Sequence, residues 1–143
     1  MEFVVDASVV VKWFLQEEDS PPALLLRDDF VAGDVELHAP AILPFEVLNA
    51  LRFAPTYTEE RSLQAQVALD RVGISLHELS REFARRTIHT AFARGLSMYD
   101  ASYLALAAHE SQKLITADEV LLRVGGDDAM ALRDYAPVSP NDR

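Results

Sequence analysis

Short apolar runs alternate with segments of helical spacing along most of the chain. Apolar runs at 3–5, 35–39, 74–76, 113–116 and 130–133 are typical of strands buried on both faces of a sheet. Apolar spacing and proline or glycine signals predict helices at 8–15, 21–33, 58–72, 78–94, 97–109 and 118–124. Another helix is expected to include Pro40 and Pro44 early and to carry Glu46 and Asn49. This alternation predicts an α/β domain built around a parallel sheet.

The length of the chain indicates one domain. A chain of 143 residues is long enough to bury roughly 70% of the surface that its unfolded form exposes. We expect a single domain over residues 1–136 and a loose tail over residues 137–143. No apolar run is long enough to span a membrane, and the first residues lack the pattern of a signal peptide. These features predict a cytoplasmic protein without a membrane partner.

Composition removes some chemistries and leaves nucleic acid open. The absence of cysteine excludes disulfides, zinc–thiolate sites and thiol nucleophiles. A net charge of −10 would ordinarily oppose nucleic-acid binding. However, the first 60 residues hold 12 acidic and 3 basic side chains, whereas the rest of the chain is almost balanced. The acidity is therefore concentrated in one half, and the other half supplies arginines that suit either phosphate or neighbouring carboxylates.

Four acidic residues stand out by their surroundings. Asp6, Glu46 and Asp100 are each the only charge in a largely apolar stretch, and Asp118 follows the predicted strand 113–116 by two residues. Asp6 directly follows the first strand. Because the carboxyl ends of parallel strands meet at one edge of the sheet, sites form there. A shared divalent cation is the simplest way to keep such acids ionised and close together.

Each acid also has a purely structural interpretation. Ser97-x-x-Asp100 and Thr116-x-x-Glu119 resemble capping boxes, and acids in a first helical turn are favoured by the helix dipole. Asp6 fits a turn or cap, and Glu46 fits a solvent-facing helix position. The conjunction of all four at suitable places favours a common site.

Four segments carry a resemblance to a known family. They are Val5-Asp6-Ala7-Ser8-Val9-Val10 with Lys12-Trp13-Phe14-Leu15, Glu46-Val47-Leu48-Asn49-Ala50-Leu51, Tyr99-Asp100-Ala101-Ser102-Tyr103-Leu104-Ala105-Leu106-Ala107, and Leu114-Ile115-Thr116-Ala117-Asp118. In their order and spacing, the chain resembles the PIN-domain ribonucleases, in particular the VapC toxins of toxin–antitoxin pairs. The resemblance covers residues 3 to about 124.

The resemblance implies a fold, an activity and partners. The implied fold is a three-layer α/β/α sandwich with a central, mainly parallel five-stranded sheet. The implied reaction is metal-dependent hydrolysis of RNA by an endonuclease, with Mg²⁺ or Mn²⁺ as the cofactor. The implied partners are a VapB-type antitoxin, whose tail lies in a groove near the first helices, and a second copy in a homodimer.

The same resemblance assigns roles to residues. Asp6, Glu46, Asp100 and Asp118 map onto the acidic cluster of the family, and Ser8, Asn49 and Thr116 are expected to support it. Asp6 and Asp100 are predicted to bind the metal directly, Asp118 directly or through water, and Glu46 through water. Hard oxygen ligands of this kind suit Mg²⁺ and Mn²⁺.

Two other functions stay open at this point. A receiver-like signalling domain also places acids at strand ends, but it requires paired aspartates after its first strand, which this sequence does not show clearly. A PIN fold that binds RNA or a protein without cleaving is the other alternative.

Overall fold

A computed structural model describes residues 1–138 of the chain. Most of the predicted loose tail, residues 139–143, lies outside the described part. Val138 packs against the hydrophobic core, and its backbone N–H donates a hydrogen bond to Asp29 Oδ2 at 3.0 Å.

Five parallel strands form one sheet in the order β3-β2-β1-β4-β5. Each strand overlaps a short apolar run that predicts it. The two strands at the centre of the sheet carry buried apolar residues, as expected where both faces are covered, whereas Ser75 and Leu76 of the edge strand are exposed. The five-stranded parallel sheet is therefore confirmed. The strands are β1 Glu2–Val5, β2 Glu36–Pro40, β3 Ser75–His77, β4 Lys113–Thr116 and β5 Ala129–Ala131.

Seven α-helices connect these strands within the described residues. The order of the sheet requires α1 to α4 to cover one face and α5 to α7 to cover the other when the crossovers are right-handed. The three-layer α/β/α architecture predicted from the resemblance is confirmed. The helices are α1 Ala7–Val10, α2 Ser20–Ala32, α3 Leu43–Arg52, α4 Glu59–Val72, α5 Arg81–Arg94, α6 Met98–Glu110 and α7 Glu119–Gly125.

The direction of the chain through the sheet reverses between β1 and β4. From β1 the chain moves outward to β2 and β3, and it then crosses back to β4 and β5 on the other side of β1. Such a reversal leaves a crevice beyond the carboxyl ends of the two central strands. The residues that follow β1 and β4 therefore line this crevice.

The central helix α6 explains an almost wholly apolar stretch of sequence. Residues 101–107 are buried all round the helix, which contacts β1, β2 and β4 on one side and α5 on the other. A helix enclosed on all sides loses the amphipathic pattern of a surface helix. Any charge on this helix near the crevice is therefore exceptional, and Asp100 in the first turn is one.

Several local predictions were wrong at element boundaries. The strand predicted at 130–133 lies at Ala129–Ala131 and is followed by a 3₁₀ turn at Leu132–Asp134. Pro40 ends β2 rather than entering the next helix, which begins at Leu43. The predicted helix 8–15 divides into α1 and a 3₁₀ turn at Val11–Trp13. The pair Gly125-Gly126 predicts a break in the chain, but Gly125 belongs to α7 and the break falls at Gly126, which has a φ of 54°. These shifts leave the acidic residues at the ends of their elements.

No helix of residues 1–138 combines the length and the apolar character that a membrane crossing requires.

Candidate active site

Asp6 lies at the centre of the crevice, where β1 ends. Val5 and Ile115 are register partners in β1 and β4, and the backbone N–H of Asp6 donates to the carbonyl of Ile115 at 3.2 Å. The side chain is only 5% exposed. Its Oδ2 accepts hydrogen bonds from Ser8 Oγ at 2.7 Å and from Thr116 Oγ1 at 2.8 Å. Two neighbouring hydroxyls thus fix the orientation of a buried carboxylate.

The same two hydroxyls connect Asp6 to the end of β4. Ser8 Oγ accepts from the backbone N–H of Ala117 at 3.0 Å, and Thr116 Oγ1 accepts from the backbone N–H of Asp118 at 3.0 Å. Thr116 is completely buried. This Ser8–Thr116 network therefore joins the loops that follow the two central strands and holds Asp118 beside Asp6.

Asp118 also caps a helix. Its Oδ1 accepts from the backbone N–H of Leu121 at 2.9 Å, as an N-cap residue does at the start of α7. The capping box predicted from Thr116 and Glu119 is therefore wrong. The hydroxyl of Thr116 is used by Asp6 and Asp118 instead.

Asp100 reaches the crevice from the first turn of α6. Ser97 is the N-cap of this helix, and its Oγ accepts from the backbone N–H of Asp100 at 3.1 Å. The cap predicted at Ser97 is confirmed. Ser97 also interacts with the carboxylate of Asp100, and this interaction partly opposes the rise of its pKa.

Glu46 comes from α3 on the opposite layer. It is half-buried, and its Oε1 accepts a hydrogen bond at 2.7 Å from the hydroxyl of Tyr103, which lies on α6. Burial and the neighbouring carboxylates raise the pKa of Tyr103, so the phenol stays protonated and acts as the donor. The sequence alone indicates no role for Tyr103, although this residue lies one helical turn after Asp100.

The electrostatics show that the acids share one environment. Burial raises the pKa of Asp6, and the charge of Asp118 adds to the rise. Burial also raises the pKa of Glu46, with further contributions from Asp6 and Asp100. For Asp100, burial and then the charge of Asp118 raise the pKa. Each of these carboxylates is therefore costly to ionise without a cation.

No basic side chain of the described residues compensates these charges. All ion pairs found between residues 1 and 138 involve other acids, and Lys12, the cation nearest in sequence to Asp6, pairs with Glu17 at 3.1 Å. Four uncompensated carboxylates at one crevice, with oxygen as the only ligand type, fit a hard divalent cation.

The spacing of the oxygens favours a partly hydrated cation. No three of the four acids bring ligand atoms within 4.8 Å of one another, since in the described chain only Glu2, Glu36 and His38 meet that distance. Mg²⁺ usually binds to one or two carboxylates and keeps several waters, which suits the wider set. Glu2 and Glu36 begin β1 and β2, so they lie at the opposite edge of the sheet from Asp6.

The remaining predicted residue lies apart. Asn49 is exposed on α3, one turn after Glu46, and no hydrogen bond joins it to the acids in the described structure. Its supporting role stays a prediction.

Comparison with known proteins agrees with this geometry. The PIN domain model matches residues 3–127. The chain is 30% identical over 132 residues to Ribonuclease VapC3 of Pyrobaculum aerophilum, covering 85% of this chain and 92% of that protein. A toxin–antitoxin complex from Klebsiella pneumoniae shares the fold with a TM-score of 0.68 at 18% identity, covering 91% of this chain and 97% of the other.

A second solved structure shows the same fold. It is VapBC2 from Rickettsia felis bound to a fragment of promoter DNA, with a TM-score of 0.62 at 13% identity, covering 92% of this chain and 97% of the other. The family resemblance predicted from four short motifs is thereby confirmed. With its five parallel strands, the acids gathered where the chain reverses and a family match over most of its length, the chain belongs to the PIN domain family.

Proposed function

We propose that this protein is a VapC-type endoribonuclease that requires Mg²⁺ or Mn²⁺ and acts as the toxin of a toxin–antitoxin pair. The observation that carries the proposal is the gathering of Asp6, Glu46, Asp100 and Asp118 at one crevice without a compensating basic residue in the described chain. The ribonuclease name of a relative at 30% identity supports the choice of RNA as the substrate. The PIN match decides against a receiver-like domain.

Each residue of the crevice would have a distinct role in binding the cation or in cleavage. Asp6 and Asp100 would bind the cation directly, and Asp118 would bind it directly or through water. Ser8 and Thr116 hold Asp6 in one orientation by donating to the same oxygen. Glu46 would orient a water molecule for attack on the phosphorus. A bound divalent cation supplies two effects, since it lowers the pKa of a coordinated water and offsets charge on the scissile phosphate.

A cleavage assay tests the activity. The protein is co-expressed with the small neighbouring reading frame, separated from its partner, and incubated with single-stranded RNA in Mg²⁺ or EDTA. We expect cleavage only with the cation, and we expect Asp6→Asn and Asp100→Asn to lose it while melting cooperatively. Asp127→Asn, an exposed acid outside the crevice, is the matched control and should keep full activity. A wild-type protein that binds cations yet leaves RNA intact would indicate the silent PIN fold.

The surface near the first helices supports the antitoxin assignment. A cavity of about 290 Å³ has a mixed lining in which apolar side chains, among them Trp13, Phe14, Leu15, Pro21 and Leu24, outnumber the polar Lys12, Gln16 and Ser20. Such a groove fits the apolar face of a partner segment. We expect Leu24→Asp to weaken antitoxin capture, whereas Leu25→Asp on the same helix should not, because Leu25 is exposed and does not line the cavity. Equal capture of both variants would contradict this assignment.

A separate apolar face supports homodimerisation. Side chains of α5, α6 and the end of β2 surround a cavity of about 530 Å³, and exposed Leu79, Ile88 and Met98 line it. Phe92, which is 82% exposed, continues the same stripe one turn beyond Ile88. Apolar patches of this kind mark protein interfaces. Light scattering should find a dimer for the wild type and for Leu63→Asp on α4, but a monomer for Ile88→Asp. A dimer of the Ile88 variant would overturn this placement.

A further inference from the structure

In the described residues, the hydroxyl of one buried tyrosine forms a hydrogen bond only with a residue of the candidate site. Tyr103 is 0% exposed, and its hydroxyl donates to Glu46 Oε1 at 2.7 Å across 57 residues of sequence. The ring packs in the hydrophobic core, where a phenylalanine would fill nearly the same volume. The hydroxyl is therefore the part of this side chain that packing does not explain.

Burying a phenol has a cost that its partner must offset. A hydroxyl taken from water into an apolar interior is unfavourable unless it is hydrogen-bonded, and a carboxylate is a strong acceptor for it. In residues 1–138, no other hydrogen bond is found to the carboxylate of Glu46. Tyr103 and Glu46 thus satisfy one another, and this is the one hydrogen bond found to the Glu46 side chain in the described residues.

The position of Tyr103 couples two of the acids. Asp100 and Tyr103 are three residues apart on α6, so their side chains lie on neighbouring parts of the same helical face. Glu46 belongs to α3, in the other helical layer. The bond from Tyr103 therefore connects the helix that carries Asp100 to the helix that carries Glu46, through the interior and past the edge of the sheet.

We propose that Tyr103 is the positioning residue for Glu46. Its buried hydroxyl donates a hydrogen bond to Glu46 Oε1 and holds the carboxylate in the orientation in which it would act on the cation and the attacking water. The inference rests on the proposed function, which it deepens. Tyr103 does not touch the substrate. Its effect passes entirely through Glu46.

The chain offers a control of the same chemistry. Tyr135 is 7% exposed, and its hydroxyl donates to Asp29 Oδ2 at 2.5 Å, away from the crevice. Tyr103→Phe and Tyr135→Phe each remove a phenol–carboxylate hydrogen bond and leave the ring in place. Both variants should lose stability to a similar extent. Only the first should affect the site.

The test measures cation binding and cleavage separately. Mn²⁺ affinity is measured by electron paramagnetic resonance without RNA, and kcat and KM are measured with RNA. For Tyr103→Phe we expect a fall of about 10-fold to 100-fold in kcat, weaker Mn²⁺ binding and little change in KM, because residues that orient a ligand have effects of this size. Tyr135→Phe should stay within twofold of the wild type. In a Glu46→Gln background, Tyr103→Phe should lower kcat and Mn²⁺ affinity no further, since both changes act on one carboxylate.

Several outcomes would overturn the inference. Unchanged kcat and Mn²⁺ affinity in Tyr103→Phe, beside a loss in Glu46→Gln, would refute it while leaving the proposed function intact. Equal losses in Tyr103→Phe and Tyr135→Phe would show a general effect of destabilisation, and additive losses in the double variant would show that Tyr103 acts elsewhere. A wild type with neither Mn²⁺ binding nor cleavage would overturn the inference and the proposed function together. Melting curves and circular dichroism establish that each variant is folded.

Discussion

Replacing Thr116 by valine removes one hydroxyl from the centre of the crevice and changes almost nothing else. The two side chains have nearly the same shape, and Thr116 is completely buried at the end of β4. Its hydroxyl donates to Asp6 Oδ2 at 2.8 Å and accepts from the backbone N–H of Asp118 at 3.0 Å. The substitution therefore removes both interactions at once, while Ser8 keeps its bond to Asp6.

The expected loss can be worked from these two hydrogen bonds. A hydrogen bond to an ionised group contributes about 1.5–3 kcal/mol, and leaving a partly buried N–H without an acceptor costs about 1 kcal/mol or more. The sum is about 3 kcal/mol. For a domain of this size, 1 kcal/mol corresponds to roughly 3–5 °C in Tm, so the variant should melt about 10 °C below the wild type.

The loss should depend on pH with a definite sign. Burial raises the pKa of Asp6 above its unfolded value, and the hydroxyl of Thr116 partly opposes the rise. Thr116→Val therefore raises the folded pKa further. A group with a raised folded pKa is stabilising below its unfolded pKa, near 4, and this contribution is lost as the pH rises through the folded pKa. The difference between wild type and variant should accordingly be larger at pH 8 than at pH 4.

Urea unfolding of the cation-free protein at both pH values measures the effect. Thr116→Ser is the matched control, because it keeps the hydroxyl and loses only a methyl group, so its deficit should be about 1 kcal/mol and independent of pH. A Thr116→Val deficit below 1 kcal/mol at pH 8, or a larger deficit at pH 4, would refute the role given to the Ser8–Thr116 network.

Three further predictions concern the cation, a packing contact and a helix cap. At pH 8, Mn²⁺ at 100 times its Kd should raise the free energy of unfolding by about 2.7 kcal/mol. This gain should shrink towards pH 4, where protons compete with the cation, and it should vanish in Asp6→Asn. A gain that this variant retains in thermal melts would contradict the site. Gly125→Ala should cost about 1–3 kcal/mol in urea unfolding, because the added Cβ would lie 2.6 Å from Ala129 Cβ; a neutral result would contradict the tight packing of α7 on β5. Ser97→Ala should cost about 1 kcal/mol in the same assay and should lower cleavage, because it loosens the first turn of α6. Ser97→Thr keeps the cap and is the control. Unchanged activity in Ser97→Ala would show that the cap does not position Asp100.

The elements of the fold were predictable because the central strands of the parallel sheet are largely buried on both faces. The sequence of these strands is mostly apolar, which differs from the 3.6-residue spacing of the surface helices. The ends of helices and strands were harder to predict where one residue is compatible with both kinds of element. Pro40 illustrates this, since its fixed φ is compatible with the first turn of a helix and with the last residue of a strand. Only the pairing of Pro40 with His77 in β3 decides between them.

The site was predictable in its acids and less so in their supports. Asp6, Glu46 and Asp100 are visible because an isolated charge in apolar sequence is unusual. Tyr103 is not visible in that way, since a tyrosine in an apolar helix is consistent with ordinary core packing. The signal that could have revealed it is its spacing of three residues from Asp100, but its partner Glu46 is known only from the tertiary structure. Similarly, local spacing favoured a capping role for Thr116. The register of β1 with β4 instead brings its hydroxyl to Asp6, to which it donates a hydrogen bond.

The hydrogen bonds and the burial of the crevice carboxylates act in opposite directions, and a bound cation would resolve this conflict. Ser8 and Thr116 both favour the ionised form of Asp6, yet the pKa of Asp6 is raised, so burial outweighs the two hydroxyls. The same balance holds for Glu46, where the bond from Tyr103 does not offset burial and the neighbouring charges. Hydrogen bonds orient these carboxylates but cannot neutralise them, and the described chain places no basic residue in an ion pair with them. Ionising these carboxylates without a cation is therefore unfavourable, and a divalent cation, followed by the phosphate that it attracts, would make the arrangement favourable.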